Sequence, residues 1–232
     1  MAYPFKLFIL TLVFFTLSCS TFTRPKEFGK GWYLVKPSDT LYSIAWRYNI
    51  DFNTLVEWNK INEPYVVQPG QYIRLIAPGI STGYKEQSVT KKKVTTKKIK
   101  KVVKKVDARP IEWQWPVNGN VLNKFSFNDI NKRGIEIASK IGQPVRAVAS
   151  GKVVYSGNGL AGFKNLIILK HSETYLSAYA QNENLLVKEG DTVKIGHKIA
   201  DMGMNANSKY QLHFQVRKNG QPVDPLLYLP KK

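Results

Sequence analysis

Nine lysines fall between Lys91 and Lys105, in the stretch TKKKVTTKKIKKVVKKV, and no acidic residue follows them until Asp107. Like charges at that density repel one another and hold a chain extended. Residues 77–110, which begin near the turn-forming PGISTG, therefore cannot run through a hydrophobic core, and the sequence on either side must fold separately. The segment is a solvated linker, or a basic arm for an anionic surface, and the two descriptions are compatible. The whole chain carries Lys+Arg 35 against Asp+Glu 16, a net charge of +19 over 232 residues, which calls for an anionic partner. Nucleic acid fits poorly, because the lysines have no interleaved aromatic residues to stack on bases. The single cysteine, Cys19, excludes an intramolecular disulfide and any multi-cysteine metal site.

Before the linker, residues 32–76 predict a small α+β unit in the order strand, helix, helix, strand. WYLVKPS alternates as a strand does. Leu41, Ile44, Ala45 and Tyr48 recur at helical spacing behind Ser38 or Asp39 as N-cap. Phe52, Leu55, Val56 and Ile61 repeat the pattern behind another Asp, and QPGQYIRLI gives a turn and a closing strand. So short a unit has little core of its own. After the linker, residues 111–232 show short segments read as alternating, among them KNLIILKH, TYLSAYA and YQLHFQVRKNGQPV, divided by turn signals. This predicts a mainly antiparallel β domain, a sandwich or barrel.

The amino terminus, MAYPFKLFILTLVFFTLSCS, has one early lysine and an apolar run from Leu7 to Leu17, too short for a membrane span of ~20 residues but the length of a signal-peptide core. Ser18-Cys19 at its end resembles the lipobox of bacterial lipoproteins, with Thr16 where that motif usually has Leu. The resemblance implies a signal peptide over residues 1–18 and acylation of Cys19. Ser20 is not the Asp that commonly retains lipoproteins in the inner membrane, which implies the outer membrane of a Gram-negative bacterium. Loss of Lys6 with the peptide leaves the charge high.

YLVKPSDTLYSIAWRYNIDFNTLVEWNKIN, followed by VVQPGQYIRL, resembles the LysM domain, with Ser38 where the family usually has Gly. Such modules bind glycans containing N-acetylglucosamine, so the resemblance implies a peptidoglycan partner. Contacts would come from the loop around Asp39, Thr40 and Leu41 and from the loop with Asn59, Lys60, Ile61 and Asn62. The alternative is that Leu41, Ile44 and Ile61 only fill a small core, which suits Leu41 and Ile44 better than it suits Asp39 or Asn62.

The second domain resembles the LytM, or M23, zinc endopeptidases through WPVNGNVLNKF, KRGIEIAS, GQPVRAVASGKVVYSGNG, VKEGDTVKIGHKIADMG and LHFQVRKNGQPVDPLLYL. Active members carry H-x-G-x-D for two zinc ligands, a catalytic His in a Y-x-H segment, and H-x-H for a second catalytic His and the third ligand. Here those positions read Lys132, Glu136, Gln181, Gln211 and His213, with Gly134 kept. Zinc needs about three protein ligands and an open water position, and a lysine ammonium repels a dication. Glutamines cannot carry protons, so general acid–base help of ~10²–10⁴-fold is lost. His171 and His197 lie away from the motif. The domain is expected to be a degenerate peptidase with no catalytic residue, metal or cofactor. Lys132 and Glu136, four apart on an extended segment, suggest an ammonium standing partly in the metal's place near His213; a surface ion pair worth ~0–1 kcal/mol is the plainer possibility.

The assembly of lipobox, LysM, basic linker and degenerate LytM domain resembles the NlpD-type murein hydrolase activators. The resemblance implies a non-catalytic protein of the outer membrane's periplasmic face, enriched at the septum, that activates periplasmic N-acetylmuramoyl-L-alanine amidases so that daughter cells separate. Its emptied groove would dock the amidase and draw an autoinhibitory segment off the amidase's own zinc. The rival readings are a tether between outer membrane and peptidoglycan, and a weak endopeptidase.

Overall fold

The computed structural model describes residues 31–79, 110–129, 133–138, 140–205 and 209–232. The signal peptide, Cys19, the lysine run and Lys132 lie outside them. Among the described residues no helix is long and apolar enough to cross a membrane.

The amino-terminal unit is the expected βααβ. Strand β1 (Trp32–Leu34) pairs antiparallel with β2 (Tyr72–Arg74), in the register Tyr33 opposite Ile73. Helix α1 (Leu41–Tyr48) begins at Thr40, whose side chain accepts from the Ser43 amide while the Ser43 hydroxyl accepts from the Thr40 amide. The N-cap is thus Thr40 and neither Ser38 nor Asp39. Thr40 has the extended backbone a cap needs, whereas Ser38 sits at φ 68° and Asp39 is occupied elsewhere. Helix α2 (Phe52–Asn59) starts at Asp51, which accepts from the Thr54 amide. The core holds Tyr33, Val35, Leu41, Ile44, Ala45, Phe52, Leu55, Val67 and Ile73.

The carboxy-terminal domain is built almost wholly of antiparallel strands. These are β3 (Val121–Asn123), β4 (Ile135–Ala138), β5 (Pro144–Arg146), β6 (Gly151–Gly157), β7 (Leu166–Lys170), β8 (Tyr175–Ala180), β9 (Asn182–Leu185), β10 (Thr192–Val193), β11 (Lys198–Met202), β12 (Gln211–Lys218) and β13 (Gln221–Val223), before a 3₁₀ turn at Pro225–Leu227. The larger sheet runs β10–β6–β7–β8–β12–β4–β3, with β13 also on β12; the smaller runs β5–β11–β9. Between them lies a core of Ile135, Ile137, Ile167, Leu169, Tyr179, Leu212, Phe214, Val216 and their neighbours.

Strand β7 departs from the sequence expectation. Its residues Leu166 to Leu169 are all 0% exposed, so it is buried on both faces and does not alternate. Ile167 and Leu169 enter the core between the sheets. Leu166 and Ile168 enter a second cluster on the outer face, with Val154, Tyr155, Leu160, Ala178, Ala180 and, from the other domain, Trp46. Helix α1 explains the visitor. Leu41, Ile44 and Ala45 line one side and face their own core, Trp46 points to the other, and Tyr42, four residues before it, stacks on Phe52 of that core while also touching the outer cluster. The first domain therefore lies against the second, through the outer face of the larger sheet.

Candidate functional site

Strand β12 alternates strictly. Leu212, Phe214 and Val216 face the core, so Gln211, His213, Gln215 and Arg217 share the outer face. All four are nevertheless buried, at 8%, 8%, 3% and 4% exposure. What each meets is set by register. His213 stands opposite Glu136 on β4 and opposite Ala180 on β8. A directly opposed pair has its Cβ atoms roughly 5 Å apart, close enough for short polar side chains to join. Gly134, just before β4, permits this approach, since any Cβ there would strike the Phe214 carbonyl.

The resulting cluster is closed. His213 Nδ1 lies 2.6 Å from Glu136 Oε1, and Gln211 Nε2 donates to Glu136 Oε2 at 3.0 Å. Gln215 Nε2 lies 2.8 Å from His213 Nε2. Both ring nitrogens and both carboxylate oxygens are therefore engaged. The Phe163 ring, 5.6 Å from the imidazole, covers it. With Gln215 donating to Nε2, the ring proton is on Nδ1 and points at Glu136, the arrangement of a held imidazole and not of a free base.

Gln181 follows Ala180, the register neighbour of His213, at φ 70°. Its amide donates to the Lys164 carbonyl at 2.7 Å, and its Oε1 is buried without a partner. It does not join the cluster of Glu136, Gln211, His213 and Gln215. Glu136 meets His213, near which the sequence expectation places it, and also Gln211, which that expectation does not join to it; Lys132, its expected partner, lies outside the described residues. Gln215 was missed too, although the alternation QLHFQVRK places it on the His213 face.

In the smaller domain the expected glycan residues divide. Leu41 is 1% exposed and belongs to the core, so its side chain shapes the loop without reaching a ligand. Asn59 ties α2 to β2, accepting from the Arg74 amide at 2.6 Å and donating to the Arg74 carbonyl at 2.9 Å. Asp39 accepts from the Tyr33 hydroxyl at 2.5 Å and pairs with Arg47 at 3.0 Å. Burial and that carboxylate push the Tyr33 phenol up to about 12. Thr40 caps α1 and also donates to the Val154 carbonyl across the domain boundary, at 3.3 Å. Ile61 packs on the core; Lys60 and Asn62 are the exposed members of the set.

His171 braces the larger sheet, with Nδ1 2.9 Å from the Ser150 carbonyl and Nε2 2.7 Å from the Ser177 hydroxyl. Burial pushes its ring down to about 4.

Sequence comparison adds names to this geometry. The signature of the LysM domain matches residues 33–75, and that of Peptidase family M23 matches residues 131–225. A Pseudomonas aeruginosa protein named lipoprotein NlpD/LppB homolog is 38% identical over 234 residues, covering 87% of this chain and 78% of that one. The Escherichia coli K12 lipoprotein YgeR, whose name carries no function, is 40% identical over 208 residues, covering 85% and 80%. The Escherichia coli K12 murein hydrolase activator NlpD is 34% identical over 257 residues, covering 86% and 68%.

A peptidase of the M23 type implies zinc, and the donors here do not fit one. A catalytic zinc takes three protein ligands. Glu136 and His213 turn their facing atoms on each other, and the neighbouring Gln211 offers Glu136 an amide N–H, a donor that a metal cannot share. Among the described residues no group of three or more His, Cys, Asp or Glu side chains is placed to hold a metal ion.

Proposed function

The chain belongs to the NlpD/LppB lipoprotein family, and from that premise we propose how it works: as a non-catalytic activator of murein hydrolases in cell-wall splitting. Its LysM domain binds peptidoglycan, and its M23-like domain acts on a partner amidase instead of on peptide bonds. The observation that carries this reading is the closed Glu136–Gln211–His213 cluster. The peptidase frame survives, down to the glycine that lets β4 approach β12, but the positions that would move protons hold glutamines. A cleft shaped for a peptide keeps its concavity after its chemistry is lost, and concave sites are where binding concentrates.

The protein is an outer-membrane lipoprotein. The finer assignments are ours: acylation of Cys19, enrichment at the division septum, glycan contacts through Lys60 and Asn62, and amidase docking in the groove of Lys132, Glu136, Gln181, Gln211 and His213. The amidase is of the N-acetylmuramoyl-L-alanine type, and docking draws its inhibitory segment from its own zinc. The basic segment adds a salt-sensitive attraction to the anionic envelope.

The test measures release of labelled fragments from purified peptidoglycan by a periplasmic amidase, with and without the mature chain. We expect stimulation by the chain, none by a Gln181→Trp variant with an unchanged melting curve, and no release by the chain alone. Equal stimulation by Gln181→Trp would show the groove to be a relic; release by the chain alone would restore the endopeptidase reading.

A further inference from the structure

The outer face of β6, β7 and β8 is closed only in part by its own domain, through Phe163 and Leu176. Its apolar residues, Val154, Tyr155, Leu160, Leu166, Ile168 and Ala178, cluster with Trp46 of α1, which is 3% exposed and has no place in its own domain's core. Around the indole the two domains exchange a few hydrogen bonds. Arg217 Nη1 donates to the Trp46 carbonyl at 2.9 Å, Arg47 Nη2 to Gly159 at 3.3 Å, and Gln221 Nε2 to Asn49 at 3.3 Å. The backbones also touch, for a Cβ on Gly220 would stand 2.6 Å from Asp51 Cα.

This junction is poorly satisfied. Trp46 Nε1 and Arg217 Nε are both buried without hydrogen-bond partners. Both atoms belong to one contact, the guanidinium lying over the indole, and a buried polar group left unpaired is destabilising. Arg217 stacks its guanidinium 3.6 Å from the centre of the Trp46 ring, but no carboxylate among the described residues pairs with it. Burial, with Arg133 adding a like charge, pushes Arg217 down to about 9. A buried cation without an anion is a costly feature in a permanent interface. It suits a surface whose best partner is something other than what covers it now.

We propose that this face is an interaction surface held in reserve, occupied in the resting chain by α1 of the LysM domain and taken over by a partner segment that presents a bulky apolar side chain beside a carboxylate. The apolar group replaces the Trp46 indole between β6, β7 and β8, and the carboxylate pairs with Arg217. Departure of α1 returns Trp46 Nε1 to water. The inference deepens the activator reading and rests on it only for the identity of the partner. The surface and its chemistry stand on the contacts just given.

The test uses the mature full-length chain and two synthetic helical peptides. Both carry a Trp anchor, and one turn later one has Glu and the other Lys. Binding is read by fluorescence anisotropy of labelled peptide. Trp46→Ala removes the resident plug without touching the small domain's own core, and Gly220→Ala pushes the domains apart from the other side, at the cost of strain in the β12–β13 turn where Gly220 has φ 74°. Each variant is expected to bind the Glu peptide at least tenfold more tightly than wild type does. Each should prefer it to the Lys peptide, and Arg217→Gln in the Trp46→Ala background should erase that preference. Equal binding by wild type and both opened variants overturns the proposal, as does indifference of Trp46→Ala to Glu or Lys. Amidase stimulation is read separately. Tightened, Glu-selective peptide binding without stimulation by any form would sink the activator reading and leave the surface established.

Discussion

Gln211 and His213 at one end of β12's outer face and Arg217 at the other are equally buried and belong to one strand, yet they are in opposite condition. At the first end both imidazole nitrogens and both Glu136 oxygens are engaged. At the second a guanidinium is buried beneath a tryptophan of another domain, its Nε without a partner. Register explains the difference. The first end has β4 beside it, with Glu136 directly opposite His213. At Arg217 the neighbours are Leu176 of β8 and Pro222 of β13, which offer no acid. At one end the imidazole and the carboxylate hold each other; the other end is satisfied only in part, and on our proposal it is there that the molecule opens.

Substitutions at the two ends should therefore differ in sign. Gln211→Glu sets a second carboxylate against Glu136, now 3.0 Å from the amide it replaces. A buried, uncompensated charge costs ~3–5 kcal/mol, so a large fall in melting temperature at neutral pH is expected. An unchanged melt would mean that the cluster is open to water.

His171, remote from both ends, supplies a reference for the whole sheet. Its ring is held down to about 4, against 6.5 in the unfolded chain. Above pH 6.5 neither state is protonated there and stability is full. As pH falls from 6.5 towards 4 the unfolded chain takes up a proton that the folded chain refuses, so stability drops, by up to ~3 kcal/mol. Denaturant titrations across that window should show the loss, and His171→Gln should flatten it.

At the poised end the reverse holds. Arg217→Met exchanges a buried, acid-free cation for an apolar side chain of similar length, a change often worth ~1–4 kcal/mol in favour of the packed state. Hydrogen exchange in α1 should slow, and amidase stimulation should fall because the junction no longer releases. Faster exchange would show that Arg217 holds the domains together.

The smallest effect isolates the LysM domain. Ser38 occupies φ 68°, a left-handed conformation that costs a residue with a Cβ ~1 kcal/mol. Ser38→Gly should stabilise that domain by about this amount in thermal denaturation and leave the junction unaltered.

Much of this was legible in the sequence. The βααβ unit and the antiparallel domain followed from spacing, Asp51 as a cap above all, whereas the altered motif positions came only from the resemblance to the M23 family. The junction followed from neither. Trp46 reads as one more aromatic on a helix, and its pairing with Tyr42 four residues before it gains meaning only once Leu41, Ile44 and Ala45 are known to face the other way. LIIL in β7 was a stronger signal, since four consecutive apolar residues ask for cover on both faces. Charged residues at a strand's end are normally solvated, and only the docked domain buries Arg217.

The most direct measurement of the contrast is hydrogen exchange on the mature chain, with and without a periplasmic N-acetylmuramoyl-L-alanine amidase that it stimulates. The account predicts that amidase speeds exchange in α1, residues 41–48, as Trp46 leaves the sheet, while β4 and the first half of β12 around Glu136 and His213 stay protected. Protection of α1 that is the same with the amidase bound as without it would contradict the account.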